Sequence, residues 1–176
     1  ARLEAWGVVA LAQVDDHPFA WWAMRDDTHV VVKAGDQGER HREALALRAF
    51  GVGATDVIEH DRDLGLLVTR RVLPGDDIRP LARQDDDAAT REIAHLAVDL
   101  HREQGTGSGL PPLRDIGAAF DAPHDDRLPR HLVDSARRVF NDLMAERTPR
   151  VVLHGDLQHL NVLNTGEGWR AIDPHG

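Results

Sequence analysis

The stretch VVLHGDLQHLNVLNTGEGWRAIDP, residues 151–174, gathers His, Asp and Asn side chains on one short segment between apolar pieces. The pieces 151–153 and 162–163 are aliphatic and bounded by turn residues, a pattern that predicts strands. The spacing H-x-D-L-x-x-x-N begins at His154, and a second aspartate follows at Asp173. Because binding and catalytic groups concentrate on loops that a rigid scaffold positions, the segment predicts a reaction centre.

The spacing from His154 onward matches the catalytic loop of protein kinases, with Gly155 where an arginine is usual. Phosphoryl transfer from ATP requires a carboxylate that accepts the proton of the acceptor hydroxyl, and hard oxygen ligands for Mg²⁺. We therefore predict Asp156 as the catalytic base, and Asn161 and Asp173 as the Mg²⁺ ligands.

A second group of residues lies far upstream. Lys33 is the single lysine among 21 basic residues, and it ends the strand-like stretch HVVVKAG. Lysine is a compact, movable point charge, whereas arginine is a planar fork, so this position favours a functional lysine. A kinase needs a strand lysine on the α- and β-phosphates of ATP, oriented by a glutamate from the next helix. Glu43, on a predicted helix at 37–50, fits the second role.

The order of the predicted elements gives the fold class. Short β-branched or aromatic runs predict strands in the first third of the chain, and periodic apolar residues predict helices later. The strands are expected at 6–14, 19–24, 29–34, 56–61 and 65–73, and the later helices at 85–104 and 128–146. We predict an α+β, two-lobed fold with a nucleotide-binding lobe at 1–73, a linker at 74–80 and a catalytic lobe at 81–176.

Composition limits the partners. The net charge of −9 and the pI near 5.6 disfavour nucleic acid and favour a cationic small-molecule acceptor. No apolar run is long enough to span a membrane, and the first residues lack the pattern of a signal peptide, so we expect a cytoplasmic protein. With no cysteine in the sequence, disulfide and thiolate chemistry are excluded.

The motifs LHGDLQHLNVL and WRAIDPHG, with EALALRAFGVGA and LLVTRRVLPG upstream, resemble the aminoglycoside phosphotransferase superfamily. The ending is most similar to the branch of streptomycin 6-kinases and hydroxyurea phosphotransferases. The resemblance implies a protein-kinase-like fold with ATP and Mg²⁺ in a cleft, and phosphorylation of a hydroxyl of an aminoglycoside such as streptomycin. The expected biological result is antibiotic resistance.

The same resemblance implies roles for further residues. Backbone groups near Arg70 and Val72 would hydrogen-bond adenine at the hinge, and His154 would support the catalytic loop without reacting. Members of the superfamily continue well beyond the metal-binding aspartate, so we expect the catalytic lobe in this sequence to be incomplete.

The sequence departs from the superfamily at three places. Gln158 replaces a frequent histidine, Arg70 replaces a frequent glutamate, and the first hairpin lacks the glycines that usually cover the phosphates. The last departure keeps open a catalytically silent kinase-like binder. A second alternative is a metal-dependent hydrolase in which His154, His159 and His175 join the two aspartates.

Overall fold

The computed structural model of the chain describes residues 1–15, 17–102, 109–121, 128–146 and 150–175. Its contacts form two compact units, one comprising Ala1–Leu110 with Val151–Gly176 and the other Pro111–Arg150. This division follows the density of contacts and does not test the lobe boundaries at 74–80, which stay a prediction.

The first unit is built on a five-stranded antiparallel sheet in the order β1-β2-β3-β5-β4. Its strands are β1 (Val8–Val14), β2 (His17–Arg25), β3 (Thr28–Ala34), β4 (Val57–Asp61) and β5 (Leu66–Arg70). β-Branched residues suit a pleated sheet that is covered on one face, and Val30, Val32 and Val68 are buried on one such face. A short helix, α1 (Arg2–Ala5), precedes β1, where the sequence had predicted a strand from residue 6.

Helix α2 (Gln37–Phe50) covers the other face of the sheet. The carboxylate of Asp36 caps it by accepting the backbone N–H of Glu39 at 2.9 Å, which satisfies a donor that the first turn leaves unpaired. Ala44, Leu47 and Phe50 lie in one buried cluster with Leu67 of β5. Burying this helix face fixes the position of Glu43 beneath the sheet.

The remainder of the first unit joins the quoted stretch to two helices, α3 (Arg79–Gln84) and α4 (Asp86–Arg102). The stretch forms a hairpin of β6 (Val162–Asn164) and β7 (Trp169–Ala171). Val162 and Ala171 are completely buried in the cluster that holds Leu96 and Leu100 of α4. The strand predicted at 151–153 is wrong: this segment has no regular secondary structure and lies outside both sheets, and Val152 packs against the core instead.

The second unit contains a 3₁₀ segment at Leu113–Asp121 and helix α5 (Arg130–Ala145). The rings of Phe120 and Phe140 pack together between these two elements, with centroids 5.5 Å apart. Among its described residues none is buried, and Val139 and Leu143 of α5 remain more than half exposed. Across both units, no helix in the described ranges is long and apolar enough to cross a bilayer.

Candidate active site

The ammonium group of Lys33 lies where three parts of the first unit meet. Lys33 is on β3, opposite Ala20 of β2 and Leu67 of β5, and its side chain is 12% exposed. Its Nζ donates to Glu43 Oε1 on α2 at 2.6 Å and also to Asp173 Oδ1 just after β7. The structure therefore brings together three residues that the sequence had assigned to one site.

The charge of Lys33 is maintained by its two carboxylate partners. Burial alone would lower the pKa of Lys33, because an ammonium ion loses its hydration in the protein interior. The negative charges of Glu43 and Asp173, and their hydrogen bonds, outweigh that effect and raise the pKa above its ordinary value. Lys33 is thus a cation at neutral pH.

Arg40 is a fourth member of this ionic chain, and the sequence reasoning did not find it. Glu43 is only 4% exposed, and each of its carboxylate oxygens has a cationic partner. Lys33 bonds Oε1, and Arg40 Nη1 bonds Oε2 at 2.5 Å. The available signal was the spacing, since a basic and an acidic residue three positions apart are neighbours on a helix.

The catalytic loop is held by contacts within itself. The side-chain nitrogen of Asn161, which is 7% exposed, donates to both the backbone oxygen and Oδ2 of Asp156 at 2.9 Å. Gln158 Nε2 donates to the same Oδ2 at 3.1 Å. Oδ1 of Asp156 accepts no hydrogen bond from the described residues, so it is the oxygen open to a reacting group.

His154 supports the loop from beneath. Its Nε2 lies 2.9 Å from the carbonyl oxygen of Ile172, and its Nδ1 accepts the backbone N–H of Asp156 at 3.3 Å. Because a carbonyl can only accept, Nε2 carries the proton and the ring is neutral. Burial lowers the pKa of His154, consistent with this state. The ring stacks on Phe50 of α2, with centroids 5.9 Å apart.

Backbone hydrogen bonds connect the segment around Asp173 to the catalytic loop. The N–H of Ile172 donates to the carbonyl of Asn161 at 3.0 Å, and the N–H of His175 donates to the carbonyl of His154 at 2.8 Å. Asp173 itself has a φ of +57°, a left-handed conformation that aspartate tolerates better than most residues. These hydrogen bonds fix the backbone on both sides of Asp173 to the catalytic loop.

The donor set of this site fits a hard, oxygen-binding cation. The nitrogen of the Asn161 side chain is committed to Asp156, which leaves its oxygen for a metal, and Asp173 has a second carboxylate oxygen besides the one on Lys33. The described residues hold no group of three or more His, Cys, Asp or Glu side chains arranged around a metal position. Mg²⁺ suits such a site, because it is usually bound by one or two carboxylates together with substrate phosphates and water.

The predicted hinge residues differ in their free backbone groups. The N–H of Arg70 donates to the Asp56 carbonyl at 2.9 Å, and the Arg70 carbonyl accepts the Thr55 hydroxyl at 2.5 Å. Val72 makes no backbone–backbone hydrogen bond with any described residue. The N–H of Arg70 and one lone pair of its carbonyl are therefore occupied, whereas Val72 has no such backbone partner among the described residues.

The sheet face that carries Lys33 also carries side chains closer to the predicted hinge. Val31 lies two residues before Lys33 and therefore on the same face, opposite Trp22 of β2 and Thr69 of β5. The guanidinium of Arg71, which immediately follows β5, lies 3.9 Å from the centre of the Trp22 ring. The sequence did not predict this half-buried surface, because its pattern does not determine which face of the sheet Trp22 occupies.

A family model described as "Aminoglycoside/hydroxyurea antibiotic resistance kinase" matches residues 25–176. The streptomycin 3''-kinase of Klebsiella pneumoniae is 35% identical over 115 residues, which are 64% of this chain and 42% of that protein. The chain therefore spans less than half the length of this curated relative.

Solved structures share the fold. A choline/ethanolamine kinase family protein from Mesorhizobium loti matches with a TM-score of 0.63 and 20% identity, over 96% of this chain and 57% of its own. The aminoglycoside phosphotransferase APH(4)-Ia, as a thermostable mutant in ternary complex with ADP and hygromycin B, matches with a TM-score of 0.69 and 16% identity, over 99% of this chain and 69% of its own. The predicted kinase-like α+β fold is thus confirmed.

Proposed function

The chain belongs to the aminoglycoside/hydroxyurea antibiotic resistance kinase family, and from this premise we propose that it transfers the γ-phosphate of ATP to a hydroxyl of a small molecule. The observation that carries the proposal is the convergence of Lys33, Glu43 and Asp173 at one ion-paired centre. Backbone hydrogen bonds from Ile172 to Asn161 and from His175 to His154 join the catalytic loop to the segment that carries Asp173.

Asp156 is proposed as the base for the acceptor hydroxyl. Oδ2 is held by Asn161 and Gln158, so the carboxylate cannot rotate freely and Oδ1 is presented to the acceptor. Oδ1 would accept the hydroxyl proton as the oxygen attacks the γ-phosphorus and the bond to the β-phosphate oxygen breaks. This positioning is the main contribution a protein makes to phosphoryl transfer.

Lys33 is proposed to hold the α- and β-phosphates, with Glu43 orienting it. Lys33 already bonds Glu43 and Asp173, and exchanging Asp173 for a phosphate would release that carboxylate for a metal. Asn161 and Asp173 would hold Mg²⁺, which would supply positive charge to offset that of the phosphates. The proposed cofactors are therefore ATP and Mg²⁺.

The adenine is proposed to bind at the hinge. The free backbone groups of Val72 are suited to its hydrogen-bonding edge, with the Arg70 carbonyl as a further acceptor. Val31 and Trp22 supply an adjacent apolar surface on the sheet face that carries Lys33. A reaction that consumes ATP is consistent with a cytoplasmic location, which we propose as well.

The acceptor is proposed to be a cationic aminoglycoside such as streptomycin, so that phosphorylation would confer antibiotic resistance. The streptomycin kinase activity of the Klebsiella relative and the net charge of −9 support this choice. An open hollow of about 370 Å³ adjoins the catalytic loop, and its charged lining consists of Arg79, Arg83 and Asp86. These charges do not select a cation, so only the position of the hollow supports acceptor binding there, because Gln158 in its lining also bonds Asp156.

One observation favours a second candidate, a kinase-like binder without turnover. The described residues of the β1–β2 hairpin include no glycine to cover the phosphates. The two candidates agree on nucleotide binding and differ only in transfer. The hydrolase alternative has no such support, because the two ring nitrogens of His154 are already engaged by the Ile172 carbonyl and the Asp156 N–H.

The test compares wild type with Asp156→Asn in the full-length protein. Phosphate transfer from ATP to streptomycin, hydroxyurea and other hydroxyl acceptors is measured, together with calorimetric binding of ATP with and without Mg²⁺. We expect transfer to fall by at least about 10²-fold, the scale of a lost general base, with little change in ATP affinity. Asp99→Asn, which changes an exposed carboxylate on α4, serves as the control.

Each outcome decides between the candidates. Nucleotide binding by wild type without transfer to any acceptor would favour the silent binder. Transfer by Asp156→Asn at the wild-type rate would disprove the role of Asp156. Failure of streptomycin alone would remove only that acceptor, and the position phosphorylated on it is read from the product.

A further inference from the structure

Arg40 on α2 forms an ion pair with the buried carboxylate of Glu43. Its side chain is 23% exposed, and its Nη1 bonds Glu43 Oε2 at 2.5 Å. Its second acidic neighbour, Glu39, is 3.6 Å away and 60% exposed. An exposed pair at that distance contributes little, so Glu43 is the partner that matters.

The buried part of the Arg40 side chain strengthens this dependence. Its Nε is buried and has no hydrogen-bond partner among the described residues. A guanidinium that loses hydration without gaining a bond there must be stabilised through its remaining nitrogens. The bond to Glu43 is therefore the interaction that compensates for placing Arg40 in this position.

Arg40 also changes the charge of the centre. Without it, Lys33 would be the single cation facing the two carboxylates of Glu43 and Asp173. With it, two cations and two anions alternate from Arg40 through Glu43 and Lys33 to Asp173. A neutral chain of this kind repels an anionic nucleotide less than a negative one would.

We infer that Arg40 is a positioning residue for nucleotide binding, which fixes Glu43 and balances its charge so that Lys33 can exchange Asp173 for phosphate. This inference rests on the proposed function, since it acts through the residues that would hold ATP. In its absence Glu43 would keep a buried oxygen without a cation and would draw Lys33 more strongly. Lys33 would then be less available to the phosphates.

The inference is tested by a double-mutant cycle in the full-length protein with Arg40→Gln, Glu43→Gln and the combination. The primary measurement is the calorimetric dissociation constant of ADP, and steady-state kinetics give KM for ATP and kcat. We expect Arg40→Gln to weaken ADP binding roughly tenfold in the wild-type background, within the range of coupling between contacting charges. In the Glu43→Gln background the same change should have almost no further effect.

Two more variants separate charge from structure. Arg40→Lys keeps the positive charge and should bind ADP within about threefold of wild type, even if Arg40→Gln does not fold. Arg48→Gln removes a positive charge from the exposed end of the same helix and should leave ADP binding unchanged. Urea unfolding of each variant shows whether weaker ADP binding results only from a less stable protein.

The outcomes distinguish a failure of the proposed function from a failure of the role of Arg40 alone. If wild type binds neither ADP nor ATP, the proposed function fails, and the role of Arg40 fails with it. If wild type binds ADP but Arg40→Gln binds it equally well, or Arg40→Lys loses as much as Arg40→Gln, the role of Arg40 alone is wrong. Equal losses for Arg40→Gln in both Glu43 backgrounds would also overturn it, because Arg40 would then act independently of Glu43.

Discussion

The two halves of the candidate site are held together by different kinds of interaction. Around Lys33, side chains from β3, α2 and the segment after β7 meet through ion pairs. Around Asp156, hydrogen bonds link residues of one short segment to each other and to its following hairpin. The Lys33 half therefore depends on the tertiary fold and on charge balance, whereas the Asp156 half is largely a local structure.

The largest effect on this contrast is expected from Lys33→Ala. Glu43 is 4% exposed, and removing one partner of a buried ion pair costs about 3–5 kcal/mol. We expect a large loss of stability and no measurable ATP affinity. Urea unfolding and calorimetry on the full-length protein measure the two losses separately.

Lys33→Arg is the informative companion variant. It keeps the charge, but the planar guanidinium cannot reproduce a compact ammonium between two carboxylates. Stability should recover in part, while ATP affinity should remain at least about tenfold weaker than wild type. Full recovery of binding would show that charge alone matters at this position and that the single lysine has no special role.

The same contrast explains what the sequence could predict. The loop of Asp156 and Asn161 was predictable because its residues contact one another within a short segment, so the spacing H-x-D-L-x-x-x-N identifies them. The pairing of Lys33 with Glu43 was predictable from the order strand, lysine, helix, glutamate. The contact between Lys33 and Asp173 spans most of the chain, and no local pattern specifies which distant carboxylate reaches the lysine.

Two features were not predicted from the sequence: the contact of Arg40 with Glu43 and the absence of a strand at 151–153. The reasons are related. Arg40 lies three positions before Glu43 on α2, so the spacing allowed the pair, but only packing decides that Glu43 is buried and that Arg40 bonds it. The 151–153 segment has strand-like residues, but whether such residues join a sheet depends on the strands beside them, which sequence composition does not specify. The apolar face predicted for α5 likewise remains exposed among the described residues.

Acidification is expected to have an intermediate effect on the free energy of unfolding, through protonation of His154 in the Asp156 half. Burial lowers the pKa of His154, so the folded state keeps the ring neutral while the unfolded state takes up a proton near pH 6.5. Stability from this group is complete above that pH and falls as the pH drops toward the lower folded pKa. The slope from one such group is at most about 1.4 kcal/mol per pH unit.

His154→Gln isolates this contribution. The glutamine amide can still donate toward the Ile172 carbonyl but does not titrate, so the urea midpoint should vary less between pH 8 and pH 5 than in wild type. Burial also lowers the pKa values of His41 and His60, but both residues are present in the two proteins and cancel in the difference. Identical pH dependence in wild type and variant would show that His154 is not the responsible group.

The smallest effect is expected from Gln158→Ala, compared with its matched variant Asn161→Ala. Both side chains donate to Asp156 Oδ2, at 3.1 Å from exposed Gln158 and at 2.9 Å from buried Asn161. Losing an exposed hydrogen bond costs about 1 kcal/mol, because water replaces it, so kcat should fall less than about fivefold.

Asn161 also holds the Asp156 backbone and is a proposed metal ligand, so its alanine variant should lose kcat at least about a hundredfold. Steady-state kinetics at saturating ATP measure both. A loss of kcat for Gln158→Ala as large as that for Asn161→Ala would mean that the exposed side of the loop positions Asp156 as strongly as the buried side. In that case both hydrogen bonds to Asp156, from Gln158 and from Asn161, would be needed to orient its carboxylate for the reaction.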